Sequence, residues 1–468
     1  MNNDNTLLRV TKELRTLAEN GASGDRLPSV RELMSRHGVG PATVQRAVSQ
    51  LVSEGLIEAR PGRGSFVASR REILEPADLG WQAIALGERM VSSEGLEELL
   101  AVPAVGILPL TAGYLPEDLQ PLGRLSAAMT RAARRPGAWG RVPVEGVVEL
   151  RAWFAREVGG AFGASDVVVT SGGQAALSVA FRALASPGSP VLMESPTYIG
   201  AIAAARAAGL RPVPVPTDSG GARLDLLAEA FASSGARLFY CQPTYANPHG
   251  TVLDRERRKA VLEVARKANA FVIEDDWARD FALEGDPPPP LATHDPDGHV
   301  VYVRSLTKSL APGMRVGALC ARGAAGERLK ATRIVGDFFV AGPLQEAALE
   351  VLSSPAWPRH LRHLRKVLKN RRDALVASVR ERLPTARLTL VPDGGLHLWV
   401  RLPDELDDGL VAESALRAGV MVSAGRRWFP AEPTGSFLRL SYVGAEPGVL
   451  AEGVHLLNRV LGAQTPRG

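Results

Sequence analysis

The chain has 468 residues, 45% of them hydrophobic and 22% charged, with a formal net charge of +5. That balance excludes a disordered chain and leaves room for several cores, roughly two to four folding units at about 150 residues each. The only two cysteines, Cys241 and Cys320, lie in apolar strand-like runs, which argues against a disulfide framework. The start "MNNDNTLLRVTKEL" has no apolar stretch behind basic residues, and no run approaches the ~18 apolar residues of a membrane span. A cytoplasmic protein without a membrane segment is expected. Residues 1–70 hold ten Lys/Arg against seven Asp/Glu, a mild tilt toward a polyanionic partner.

Over residues 6–20 the spacing of Leu7, Leu8, Val10, Leu14, Leu17 and Ala18 predicts an amphipathic helix with these side chains largely on one face. Ser29 followed by Glu32 is a capping box that opens a short second helix. "GVG" ends it, and Pro41 suits the first turn of a third helix, where its missing N–H costs nothing. Val44, Ala47, Val48 and Leu51 give that helix its apolar stripe. "LIEARPGRGSFVA" then reads as two short strands around a Pro-Gly-Arg-Gly turn. Helix, helix, turn, helix, hairpin is the order of a winged helix-turn-helix.

Three features of this segment point at double-stranded DNA. Thr43, Gln45 and Arg46 lie near the N-terminus of the motif's second helix, the part that enters the major groove. Arg31 opens the preceding helix, where a phosphate contact is natural, and Arg63 sits at the wing tip between glycines. A small protein-interaction module with a solvated basic face is the alternative; the pattern as a whole favours DNA. The stretch resembles the GntR family of bacterial regulators in Leu27-Pro28-Ser29-Val30-Arg31, Thr43-Val44, Leu51 to Leu56 and Arg60 to Val67. It departs at Pro41, where the family commonly has an arginine, which bears on operator sequence or affinity.

Residues 1–69 are thus expected to form the DNA-binding domain and 70–105 a linker. "DLGWQAIALGERM" and "SEGLEELLAV" give that linker partly helical character. From about residue 106 short apolar strands alternate with helix-length segments, as in "DVVVT", "PVLME", "RLFYCQP", "AFVIEDD" and "VVYVRS". This pattern predicts a parallel α/β sheet covered on both faces. "DPPPP" at 286–290 is an extended loop. In such sheets ligands sit at the carboxyl ends of strands.

The strand ends carry the chemistry. "SGGQAAL" after "DVVVT" makes a glycine turn and a helix start that favour a phosphate, a weak signal alone because many such turns hold two glycines. Asn247 stands beside Pro248 after "RLFYCQP", and Glu274, Asp275 and Asp276 follow "FVI". In isolation that acidic cluster reads as a solvated loop or a helix cap. "VVYVRS" ends at Ser305, with Thr307, Lys308 and Arg315 beyond. A lysine amine can condense with an aldehyde while Ser305, Thr307 and Arg315 hold a phosphate. A carboxylate opposite can keep a pyridine nitrogen protonated, making the ring an electron sink. Pyridoxal 5′-phosphate needs that set, with Lys308 forming an internal aldimine.

On these motifs residues 106–462 resemble the fold-type I aminotransferases. With the N-terminal segment the chain is similar to the MocR-type regulators, the GntR subfamily fused to an aminotransferase-like domain. The resemblance implies Lys308 as the Schiff-base lysine, Asp275 at the pyridine nitrogen, Asn247 at the ring hydroxyl and Tyr198 stacked on the ring. It implies Gly173, Gln174, Ser305, Thr307 and Arg315 around the phosphate, and Arg439 at a substrate or effector carboxylate. It also implies a smaller α+β C-terminal subdomain over about 345–468 and a homodimer. Trp277 stands where the family usually has a tyrosine donating to the ring oxygen, and Gly173 where many relatives carry a serine. His249 reads as structural and His397 as a packed strand residue near the site, and Trp428 and Phe429 fit a pocket wall or a core equally. The expected function is a regulator in which Lys308 and its cofactor sense an amino compound or the cofactor itself. The rival is a working aminotransferase carrying a winged helix. A degenerate pocket without cofactor is disfavoured by the joint presence of Lys308 and Asp275.

Overall fold

The computed structural model describes residues 3–69, 78–86, 93 and 95–464, with side chains described from residue 6 to residue 463. The remaining residues of the expected linker, 70–77, 87–92 and 94, lie outside the described residues. The chain divides into two compact units, Met1–Met90 and Val91–Gly468.

In the first unit, α1 (Asn3–Asn20), α2 (Val30–His37) and α3 (Pro41–Ser53) precede a hairpin of β1 (Ile57–Arg60) and β2 (Gly64–Val67), paired from Ile57↔Val67 to Arg60↔Gly64. Helix α2 starts at the capping box: Ser29 N–H donates to Glu32 Oε2 at 2.7 Å, and Glu32 N–H to Ser29 Oγ at 3.3 Å. It stops at Gly38, whose left-handed φ of 65° is a conformation that only glycine adopts without strain. Val10, Leu14 and Ala18 of α1 meet Leu33, Val44, Ala47, Leu51, Ile57 and Val67 in a small apolar core. The i, i+4, i+8 stripe fixes the rotation of α1, so Leu8 and Leu17 face outward, 67% and 37% exposed, against the sequence expectation. Glu13 takes Arg36 and His37, tying α1 to α2. The first described helix of the connection is α4 (Trp81–Leu86).

The second unit opens with α5 (Leu96–Leu100), β3 (Leu108–Pro109), α6 (Leu122–Arg134), α7 (Val148–Val158) and β4 (Val167–Thr170). Then come α8 (Gly173–Leu184), β5 (Pro190–Ser195), α9 (Ile199–Ala207), β6 (Arg211–Asp218) and β7 (Gly221–Ala222). Next are α10 (Leu224–Ser234), β8 (Leu238–Cys241), α11 (Arg255–Lys267), β9 (Phe271–Asp275), β10 (Val300–Ser305) and β11 (Gly317–Cys320). Helices α12 (Gly323–Asp337) and α13 (Gly342–Leu352) follow.

The strands form one sheet in the order β4-β11-β10-β9-β8-β5-β6-β7. Its centre, from β10 through β6, is parallel. Strand β11 runs antiparallel to both neighbours, so the sheet is mixed rather than wholly parallel. The reason is the connection at 306–316: it contains no crossover helix, and without one the chain can only turn back. Helices α8, α9 and α12 cover one face. Helices α6, α7, α10, α11 and α13 cover the other.

A smaller layer follows: α14 (Trp357–Arg382), β12 (Arg387–Leu388), β13 (His397–Arg401), α15 (Asp408–Arg417), β14 (Val420–Met421), β15 (Ser423–Ala424), β16 (Phe437–Ser441) and α16 (Pro447–Gln464). Four of these strands form the sheet β12-β13-β16-β15, on whose core α14, α15 and α16 pack. Strand β3 pairs with β14, and Leu110, Leu115 and Leu119 join the same core, so the start of the unit is built into its small layer. Among the described residues no helix is long and apolar enough to cross a membrane.

Candidate cofactor pocket

A cavity of about 310 Å³ opens where the strand ends of the large sheet meet the small layer. Lys308, Asp275, Asn247, Tyr198, Gly173, Gln174, Ser305, Thr307, Arg315, Trp277 and Arg439 all line it. Strand alternation explains why one of three adjacent acids is chosen. Glu274 is turned away to accept the N–H groups of Leu291 and Ala292 at 2.8 and 3.0 Å. Asp276 accepts Tyr302 at 2.7 Å and pairs with Arg279, and although burial opposes ionisation, Arg279 and Arg304 hold its pKa low. Only Asp275 reaches the cavity.

Tyr240 Oη and Gln242 Nε2 donate to Asp275 Oδ2 at 2.7 and 2.9 Å. Burial pushes its pKa up to about 6, and these two hydrogen bonds restrain the rise. Lys308 Nζ donates to the Gly113 carbonyl at 2.7 Å and stands 3.6 Å from the Tyr114 ring centroid. Burial lowers the amine's pKa to about 7, with Arg439 and Arg315 adding to the drop and Asp275 opposing it.

Another wall is a set of donors. Ser305 Oγ and Thr307 Oγ1 are 2.8 Å apart, and Gly173 N–H points at Ser305 Oγ at 3.3 Å. Arg315 reaches the Ser171 carbonyl at 2.7 Å. Gly172, with φ 91°, makes this approach possible: a Cβ there would fall 3.0 Å from Arg315 Nη2 and 3.2 Å from Thr307 Cγ2. Tyr198 Oη donates to Gln174 Oε1 at 3.2 Å, and Gln174 Nε2 to the Gly200 carbonyl at 2.8 Å.

Arg439, in β16, is 1% exposed. It donates to the Thr111 carbonyl at 2.9 Å and to Asn247 Oδ1 at 3.4 Å, lies 3.2 Å from His397 Nε2, and its guanidinium sits 4.4 Å from the Trp428 ring centroid. Its Nε has no hydrogen-bond partner, and no carboxylate among the described residues pairs with it. Burial lowers its pKa to about 9.

One expectation needs correction. The Trp277 indole N–H donates to the Tyr245 carbonyl at 3.2 Å and its ring stacks on His397, so the donor is spent on the fold, not offered to a cofactor. His397 itself lines the cavity. His249 is buried against Thr251, its pKa lowered to about 4 by burial, and does not line the cavity. Trp428 and Phe429 lie in an apolar cluster with Ile199, Trp399 and Phe437. The sequence reading missed Gln242, which joins Asp275 to the Asn247 N–H (2.9 Å), although it too stands at a strand's carboxyl end. It also missed Gly113, Tyr114 and three leucines of α5.

In the first unit Arg31, Gln45, Arg46 and Arg63 are exposed, Arg63 in the β1–β2 turn. Thr43 is the exception at 7% exposed. It stands four residues before Ala47 and eight before Leu51, on the core stripe of α3, so helical periodicity removes it from the reading face.

The pocket fits pyridoxal 5′-phosphate. Hydroxyls, a helix N-terminus and an arginine can take a phosphate, a buried carboxylate can face a protonated ring nitrogen, and Lys308 presents an amine. Residues 107–456 match the family aminotransferase class I and II, and residues 9–67 match the gntR family of bacterial regulatory proteins. The probable rhizopine catabolism regulatory protein MocR of Rhizobium meliloti is 28% identical over 447 residues, covering 92% of this chain and 88% of that protein. The 2-aminoadipate transaminase of Thermus thermophilus is 30% identical, covering 82% of this chain and 98% of that protein. The structure of the α-aminoadipate aminotransferase of Thermus thermophilus, complexed with N-(5′-phosphopyridoxyl)-L-leucine, matches with a TM-score of 0.75 at 29% identity, over 80% of this chain and 95% of that one. Family and fold together imply pyridoxal 5′-phosphate as the cofactor, an amino compound as its ligand, and DNA as the target of the winged helix. The chain belongs to the class I and II aminotransferase family and, with its gntR-family helix-turn-helix domain, has the arrangement of the MocR-type regulators.

Proposed function

We propose that this protein is a transcriptional regulator in which an amino acid or amine entering the cofactor pocket controls winged-helix binding to DNA. Arg439 carries the proposal. A fully buried guanidinium without an acid partner is unfavourable unless something anionic completes it, and its planar fork suits a carboxylate. It lines the same cavity as Lys308.

Pyridoxal 5′-phosphate, when bound, supplies an aldehyde that condenses with primary amines and a ring that withdraws electrons from them. Lys308 is its attachment point, and an amine whose pKa lies about 7 is substantially neutral at physiological pH, as a nucleophile must be. Asp275, oriented by Tyr240 and Gln242, holds a proton at the ring nitrogen. Asn247 takes the ring hydroxyl and Tyr198 flanks the ring. Ser305, Thr307, Gly173, Gln174 and Arg315 receive the phosphate. For occupancy to move DNA affinity, the ligand must bind the two conformational states with different free energies. A homodimer would set two winged helices on two half-sites.

A working aminotransferase is the second reading, because the same lowered Lys308 amine, about 7, suits a general base and shares the cavity with Asp275. Absorbance of the cofactor-loaded protein during amino-acid titration, run beside DNA affinity and a ping-pong turnover assay, separates the readings. Regulation requires an amino compound that shifts both absorbance and DNA affinity; steady, fast turnover with unchanged DNA affinity would leave the enzyme alone standing.

A further inference from the structure

We propose that Tyr114 is a further catalytic residue of this pocket: its ring face receives the Lys308 amine as a cation and sets the proton the lysine carries whenever it is free. The proposal deepens the pocket reading given above and rests on it. Lys308 follows β10 of the large sheet, whereas Tyr114 follows β3, on a segment built into the small layer. Lys308 Nζ stands 3.6 Å from the centroid of the Tyr114 ring and donates to the Gly113 carbonyl at 2.7 Å. That separation is well inside the ~6 Å over which an aromatic face attracts a cation.

The segment carrying Tyr114 is held by its own backbone. Three successive carbonyls take three side chains: Thr111 accepts from Arg439 at 2.9 Å, Ala112 from Ser441 at 2.6 Å, and Gly113 from Lys308. Arg439 and Ser441 are alternate residues of β16, so they leave that strand on one face and register the segment beside it. A Cβ at Gly113 would already lie 3.5 Å from Lys308 Nζ, so the glycine keeps the approach open. Tyr114 stands at the end of this ladder, with its ring against the amine.

An aromatic ring suits the task for a physical reason. Among the described residues, the titratable and charged side chains lining the cavity with Lys308 are Tyr114, Tyr198, Asp275, Arg315, His397 and Arg439. Burial and the two guanidiniums disfavour the ammonium, and Asp275 opposes them. A carboxylate in the place of Tyr114 would hold the proton firmly and leave too little neutral amine to attack an aldehyde. A ring face and a neutral carbonyl favour the cation by less, so they seat the amine and keep it reactive. A ligand's ammonium gives up one proton as its nitrogen takes over the bond to the cofactor. Lys308, displaced, takes one up on the Tyr114 face, and the exchange balances without water or a redox partner.

The test reads the proton on Lys308 in the cofactor-free full chain. Wild type, Tyr114→Phe and Tyr114→Leu are labelled with acetic anhydride from pH 5 to 10, and acetylation of the Lys308 peptide is followed by mass spectrometry. The labelling midpoint should fall by about half a unit to one unit in Tyr114→Leu, the worth of a lost cation–π contact. It should stay at the wild-type value in Tyr114→Phe, which keeps the ring face. An unmoved or raised midpoint in Tyr114→Leu would overturn the proposal. So would a fall in Tyr114→Phe, which would assign the effect to the hydroxyl. Absorbance on adding pyridoxal 5′-phosphate checks the pocket separately. If wild type develops none, the pocket reading falls and the catalytic role of Tyr114 with it. If wild type develops it while the midpoints stay together, the pocket reading stands and Tyr114 alone is refuted.

Discussion

The two units keep their working charges in opposite places. In the winged-helix unit Arg31, Arg46 and Arg63 are exposed, and the core beneath them holds no charged side chain among the described residues. In the second unit Asp275 and Arg439 are buried at 5% and 1% exposure around a cavity where burial pushes the Lys308 amine down to about 7. Exposed charges stay hydrated and ask little of the fold. Buried ones are held against their desolvation, and partners within the fold or a bound ligand must restore what they lost. Substitution should therefore separate function from stability differently in each unit.

The largest effect falls on Lys308→Ala. Visible absorbance of the loaded protein and every amino-acid response should vanish, while winged-helix residues keep their amide-exchange protection. Surviving absorbance would break the contrast at its root. Arg439→Met comes next and should act in two directions. Amino-acid half-saturation should rise up to ~100-fold, the worth of charge-assisted hydrogen bonds of up to ~3 kcal/mol. The thermal midpoint of the cofactor-free protein should rise by a few degrees, because an unpaired buried cation has been replaced by an apolar chain of similar length. A fall in that midpoint would show that Arg439 is structural.

Asp275 gives the contrast a pH signature. Its folded pKa of about 6 lies above the ordinary 3.8, so below pH ~4 both states are protonated and burial carries no penalty. As pH rises from ~4 to ~6 the unfolded chain releases its proton while the folded one retains it, and stability falls by about 3 kcal/mol, staying low above that range. Glu194 and Glu274, raised to about 7 by burial, act with the same sign, so the measurement is a difference. Melts of wild type and Asp275→Asn from pH 4 to 8 should diverge as pH rises, with the asparagine variant the more stable. Parallel curves would sink the assignment.

How much of this could be read beforehand depended on distance along the chain. The capping box at Ser29 and Glu32, the Pro41 start of α3 and the Gly62/Gly64 turn are local devices, and each was legible because its partners lie within a few residues. The cofactor residues were legible for another reason: in a parallel sheet the carboxyl strand ends converge, so motifs far apart in sequence share one cavity. What stayed hidden needed tertiary placement. Tyr114 reaches Lys308, and α5 reaches the pocket, only through the packing of the small layer. The Trp277 donor is committed to Tyr245, a partner no spacing rule indicates. Leu8 and Leu17 of α1 are apolar yet exposed, because the stripe through Val10, Leu14 and Ala18 had already set the helix's rotation.

The smallest effects test the exposed side of the contrast. Arg46→Ala should weaken DNA binding about tenfold with no change in thermal midpoint, and should lower the salt slope by about one if Arg46 neutralises a phosphate. Thr43→Val is the sharper probe, because sequence position and structure disagree about it. Its place near the start of α3 puts it among the reading residues, whereas its 7% exposure and its i, i+4, i+8 register with Ala47 and Leu51 put it in the wall of the core. Valine keeps the shape and removes only the hydroxyl. If the core register governs, DNA affinity should fall less than for Arg46→Ala or Gln45→Ala, and the melt should move little or upward. An affinity loss equal to that of Arg46→Ala would mean that the small exposed part of Thr43 is its hydroxyl and that the hydroxyl touches DNA. The winged helix would then place one of its contacts partly inside its own core, and the division between the two units would be less clean than their exposures indicate.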